Sequence, residues 1–281
     1  MSASLSSTQQ RGFQARSNFR ATLTALRAII SRDLLVIRRE AAVFLLQTLM
    51  QPLFMLFIIG KVFATIGASN AGFSTLLLPG IVALTIFVTA VQGPAVDLAR
   101  DLAVTREIDD RLLAPLPISL VALEKLVLAT LRALIGGAFV FPVAFLVLGS
   151  GYQVRTDLLG VLIGLMVLVA LVGAALGMLI AVIAPIQLLP IIFALVFTPL
   201  IFTGCALYPW AALGSIKWFQ ILTLFNPLTY AAEGLRYAMI PSAPGYAPQT
   251  LAIGWVLLAL SVAFVGCLWT ALRLFHKRVV N

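Results

Sequence analysis

Six runs of mostly apolar residues, at 43–66, 76–96, 126–148, 158–183, 188–208 and 252–275, alternate along the chain with shorter polar segments. A hydrocarbon layer about 30 Å thick takes about 20 helical residues to cross, and each run is of that order. Away from water the backbone N–H and C=O groups must pair within the segment, which a helix does and an isolated strand does not. The short alternating segments of a β-barrel are absent. The pattern predicts an all-α polytopic membrane protein with six transmembrane helices over residues 43–275.

The polar segments carry their own periodicity. Residues 1–15 are rich in Ser, Thr and Gln with no apolar stretch, and are expected to form a disordered cytoplasmic tip. Over 16–42, Phe19, Leu23, Leu26, Ile30, Leu34 and Ile37 recur at spacings of three and four, flanked by Arg16, Arg20, Arg27 and Arg38. That is an amphipathic interfacial helix whose arginines reach lipid phosphates at the membrane surface. Residues 97–119 hold five of the ten acidic residues beside three Arg, too costly for hydrocarbon, and predict a cytoplasmic helix stopped by Pro115 and Pro117. Residues 209–249 are proline-broken and rich in Trp and Tyr, which favour the membrane boundary. Two short outer-side re-entrant helices joined near Asn226-Pro227 are expected there, and a short basic tail, 276–281, closes the chain.

Composition agrees: at 62% hydrophobic and 10% charged, the chain cannot solvate the surface of a water-soluble domain of 281 residues. The net charge of +9 does not indicate nucleic acid, because the basic residues flank the apolar runs. With the N-terminus inside, 14 of the 19 Lys and Arg fall on the cytoplasmic side, and Lys61, Arg155, Lys217 and Arg236 fall outside. The positive-inside rule therefore predicts cytoplasmic N- and C-termini. Arg132 lies within the third run and must snorkel or pair. Cys205 and Cys267 have no metal-ligand spacing, and His276, the single histidine, reads as an interfacial residue.

Pro52, Pro94, Pro142, Pro190 and Pro199 are expected to kink their spans. Gly160-x-x-x-Gly164 and Gly173-x-x-x-Gly177 point to opposite faces of the fourth span and predict a central helix packed closely on two neighbours. No polar cavity is evident within one chain. No Walker A, HExxH or GxSxG sequence occurs, so the chain is not itself an enzyme, and no cofactor or metal is expected on it. An ion-coupled carrier would need acidic or histidine residues, or broken helices, near the midplane, and no span has an Asp or Glu in its middle. A non-transporting membrane scaffold is the other alternative.

The order of these features, and two stretches above all, resemble the membrane subunit of type 2 ABC exporters, including the daunorubicin-resistance-type drug efflux permeases. The stretches are TREIDDRLLAPLPISLVALEK at 105–125 and FNPLTYAAEGLR at 225–236. The resemblance implies that the first docks on an ATPase subunit, through Arg106, Glu107, Ile108, Asp109, Asp110, Arg111 and Leu112. A glycine usual after the acidic residue is missing here, since Ile108-Asp109-Asp110 follows Glu107. In the second stretch Asn226, Pro227, Tyr230, Glu233 and Arg236 match the family's pattern. Taken without the resemblance, Glu233 and Arg236 are three apart on a helix and read as a surface ion pair worth a few tenths of a kcal/mol.

The resemblance further implies a bacterial plasma-membrane exporter built of two permease chains, identical or homologous, and two cytoplasmic ATP-binding subunits that carry ATP and Mg. A drug, lipophile or lipid-linked cargo is implied, with polysaccharide or glycolipid as the alternative. The substrate path is expected between two permease chains, with Phe193, Phe197 and Phe202 as the candidates for lining it.

Overall fold

A computed structural model describes residues 39, 41–66, 73–100, 118–149, 155–241 and 250–280. Among these residues there is no strand, and six helices are long and apolar enough to cross a membrane. The first span, α1, runs over Ala41–Val62 and winds as a π-helix over Leu56–Val62. Then come α2 (Phe73–Arg100), α3 (Ile118–Leu148), α4 (Leu159–Ile183) and α5 (Leu189–Thr203). Two short helices, α6 (Lys217–Thr223) and α7 (Pro227–Met239), precede the last span, α8 (Ile253–Val280).

All six apolar runs are helices, with boundary differences that have local causes. The second run was expected to stop at 96, but α2 continues through Asp97 to Arg100. Asp97 is tolerated there because it faces Arg132 across the α2–α3 boundary at 3.4 Å. The fifth run ends at Thr203 rather than 208, since Gly204 leaves the helix and Cys205 adopts a left-handed φ of 51°. Pro190 does not kink α5; it sits in the first turn, where a missing N–H costs nothing. Pro94, Pro142 and Pro199 do lie inside helices, as does Pro79.

Helices α2 and α4 form the centre, with 72% and 61% of their most apolar stretches buried, against 11% for α1 and α5. Small residues cause this. A methyl group on Gly177 would lie 2.2 Å from the Val91 carbonyl oxygen, and one on Gly173 would lie 2.7 Å from Ala90 Cβ, so the α2 and α4 backbones approach as only glycine allows. The other pair behaves differently from expectation. Gly160 and Gly164 have open space where a Cβ would stand, so α4 uses one small-residue face for close packing, not two.

The two ends of the bundle are distinct. At one, the ends of α2, α4 and α8 and the start of α5 meet in a cluster that includes Leu98, Ala181, Leu189 and Phe275. At the other, α7 inserts between α2, α4 and α8, with ten of its thirteen residues buried, while α6 and the turn after it leave Trp218, Ile221 and Phe225 exposed.

Candidate functional site

The α7 end is organised by polar residues that the protein buries. Pro227 pre-sets the first turn of α7, and Asn226 caps it, its Oδ1 accepting from the Leu228 N–H at 2.9 Å. The Asn226 amide then donates to the Leu200 carbonyl at 2.7 Å and to Thr203 Oγ1 at 2.9 Å. One side chain thus caps α7 and satisfies a carbonyl in the last turn of α5 that helix geometry leaves open. Thr229 Oγ1 donates to the Thr223 carbonyl at 2.7 Å, which fastens α6 to α7.

Two turns further along α7, Glu233 and Arg236 are 0% and 1% exposed. Arg236 Nη1 donates to Glu233 Oε1 at 2.8 Å, Nη2 to the Ala206 carbonyl at 2.9 Å, and Nε to the Leu76 carbonyl at 3.2 Å. Glu233 Oε1 also accepts from the Trp210 backbone N–H at 2.9 Å. The expected surface ion pair is therefore corrected to a buried one. Its setting explains why: Gly80 lets the Ala206 carbonyl and the guanidinium press against α2, with a Cβ there falling 1.7 Å from the Ala206 oxygen. Burial pulls the Arg236 guanidinium below the usual arginine range, and the adjoining carboxylate pulls it back up. The pair joins α7 to α2 and to the turn after α5, so it acts as a clamp on that end.

Around the clamp, Tyr208 donates its hydroxyl to the Phe202 carbonyl, and desolvation, with the neighbouring Cys205, pushes its phenol up to about 12. The buried Cys205 thiol is likewise raised by desolvation. Tyr230 packs against the main core, and burial raises its phenol too.

The residues proposed to line a substrate path separate. Phe193 and Phe197, one helical turn apart, lie in tilted contact at 5.2 Å, whereas Phe202 is 61% exposed on another face of α5. The arginines Arg16, Arg20, Arg27 and Arg38, and the stretch Arg106, Glu107, Ile108, Asp109, Asp110, Arg111 and Leu112, lie outside the described residues.

A partly open cavity of about 340 Å³ lies between α1, α2 and Arg132 of α3, within a single chain. This corrects the expectation that one chain holds no polar cavity. Its polar lining comprises Gln47, Thr48 and Gln51 of α1 and Thr85, Thr89 and Gln92 of α2, with Asp97 and Arg132 alongside. Helical spacing could have found it in the sequence, because polar residues recur one to two turns apart inside two neighbouring apolar runs.

Over 238 residues, 82% of this chain and 79% of the relative, the sequence is 26% identical to a protein named as transport permease ycf38 of Porphyra purpurea. Residues 24–240 match the ABC-2 type transporter family, a match that runs from ahead of α1 through the Asn226 cap and the Glu233–Arg236 clamp. The chain belongs to the ABC-2 type transporter family: it is a membrane permease component and not itself an enzyme.

Proposed function

We propose that this permease exports a drug, lipophile or lipid-linked substrate, driven by ATP and Mg bound on two copies of a separate cytoplasmic subunit, and that it works beside a second permease chain, identical or homologous. Family membership implies the ATP-binding partner. Outward direction, cargo and copy number are our reading. The observation that carries it is a six-span chain of the family with no nucleotide-binding motif of its own, which leaves the energy to a partner.

Sidedness follows from charge. The bundle end formed by the tips of α2, α4 and α8 carries Arg100, Arg273 and Lys277, and the α7 end carries Lys61, Arg155, Lys217 and Arg236. Adding the basic residues of segments 1–38 and 101–117 puts the excess at the first end, which we assign to the cytoplasm of a bacterial plasma membrane.

In this reading residues 97–119 dock on the ATPase subunit, with Ile108 and Leu112 as apolar anchors and Arg106, Glu107, Asp109, Asp110 and Arg111 as the charged rim. Replacing Ile108 or Leu112 by Asp places an unpaired carboxylate in that contact. Each variant should still insert into the membrane but lose co-purification with the Walker-A-bearing subunit, or hydrolyse ATP without transport. Normal binding and transport by both variants would refute the docking assignment.

A further inference from the structure

We propose that the cavity between α1, α2 and α3 is a binding site for the neutral, hydroxyl-rich headgroup of an amphiphile, reached from the inner leaflet. The leaflet assignment rests on the sidedness argued above, and the chemistry rests on the lining.

Gln47 and Gln51 stand one turn apart on α1, and Thr85, Thr89 and Gln92 stand one turn or less apart on α2, so two polar stripes face one space. The three glutamines are exposed to that space, and among the described residues their carboxamides make no hydrogen bond. At 1.5 Å per residue the stripes lie about 9 to 15 Å from the Ala41 end of α1 and about 12 to 22 Å from the Arg100 end of α2. Polar side chains at that depth cost free energy unless water or a ligand meets them.

The chemistry of the lining selects the ligand. The glutamine carboxamides each donate and accept, as sugar hydroxyls do, whereas Thr85, whose hydroxyl donates to the Ile81 carbonyl at 2.8 Å, has only acceptor capacity left. The two charged members of the lining are opposite in sign and face each other, Arg132 Nη1 lying 3.4 Å from Asp97 Oδ2, so the rest of the lining, which is neutral, sets the preference. Phe44, Met55, Leu84 and Val88 complete the wall with apolar surface for the rest of an amphiphile. The volume, about 340 Å³, falls within the range of about 300 to 1,000 Å³ usual for small-ligand sites.

The test uses the full chain with its ATPase partner in phosphatidylcholine vesicles, carrying a diazirine-bearing monogalactosyl diacylglycerol as probe. Photolabelling should map to the peptides around Gln47–Gln51 and Thr89–Gln92. The Gln51→Leu/Gln92→Leu double variant should reduce it about tenfold or more, from loss of two hydrogen bonds. Thr89→Val, which keeps the side-chain shape, should reduce it by a smaller factor, so a folding defect in the double variant leaves the proposal testable. An excess of soluble methyl galactoside that abolishes labelling would assign the same chemistry to a free sugar, whereas persistence of labelling assigns it to the lipid headgroup. Equal labelling by a diazirine phosphatidylcholine, labelling indifferent to all three substitutions, or disulfide formation between chains through Gln51→Cys would overturn the proposal. The last outcome would make the space an interface between permeases. Because labelling needs no ATP, loss of the site with ATP-driven export intact would sink this inference and leave the exporter reading standing.

Discussion

Replacing Arg236 by Met removes the charge at the centre of the clamp while keeping much of the side chain's volume, so little of the cost comes from a cavity. What remains is unsatisfied polarity. Glu233, fully buried, keeps only the Trp210 N–H at Oε1, while its Oε2 already lacks a hydrogen bond among the described residues. The Ala206 and Leu76 carbonyls lose their guanidinium donors as well. Breaking a buried ion pair by removing one partner costs about 3–5 kcal/mol, and that is the expected loss for Arg236→Met. Glu233→Gln leaves the arginine buried beside a neutral amide and should cost less, because Oε1 remains to accept both donors. The double variant should be more stable than the two losses added together, with a coupling of about 0.5–3 kcal/mol, since it leaves no unpaired charge. Equilibrium unfolding of the purified permease in mixed micelles, followed by tryptophan fluorescence, measures all three. A loss below about 1 kcal/mol for Arg236→Met, the size of a surface pair, or strict additivity in the cycle, would refute the account of the clamp.

Other outcomes follow from single contacts. Gly177→Ala, whose methyl would meet the Val91 carbonyl at 2.2 Å, should cost at least about 1–3 kcal/mol by forcing α2 and α4 apart. In the same unfolding assay Gly164→Ala, with open space at that position, should be neutral within about 0.5 kcal/mol. Cys205, buried and with its thiol raised by desolvation, should resist maleimide at neutral pH in the folded protein and react once SDS unfolds it. The Tyr208 phenol is raised from the ordinary 10.0 to about 12, so its stabilising contribution is complete below pH 10 and is lost as pH rises through about 12. Absorbance titration should therefore show a late-ionising tyrosine that Tyr208→Phe removes.

The spans were legible because a bilayer asks for length and apolarity, and both can be read without knowing any neighbour. Glycine packing was half legible: the small-residue spacing in α4 is real at both pairs, but only Gly173 and Gly177 find a helix to approach. Nothing in the run itself tells which face has a partner. The Glu233–Arg236 pair was visible as a pair and wrongly placed at the surface, since local spacing reports that two charges meet and not what covers them. Burial there comes from Gly80, more than 150 positions upstream, which admits the Ala206 turn. The cavity was missed for a related reason: scanning for apolar runs averages over Gln47, Gln51 and Gln92, although their spacing marks a polar face.

Both features hang on one helix. The clamp holds α2 at Leu76 and Gly80, and the cavity runs down the same helix from Thr85 to Asp97. Between them, Gly173 and Gly177 of α4 lock onto α2 at Phe87, Ala90 and Val91. The α2–α4–α7 group is thus joined by close backbone approach and by charge-assisted hydrogen bonds, both of which lose energy steeply when separated. On the other wall of the cavity α1 has only 11% of its most apolar stretch buried and departs from α-helical winding over Leu56–Val62. Along α1 the boundary with α2 is partly occupied by the cavity itself, so fewer apolar contacts oppose a displacement of α1 than of any helix in the central group. Any change in the width of the cavity therefore costs least when α1 moves and α2 stays.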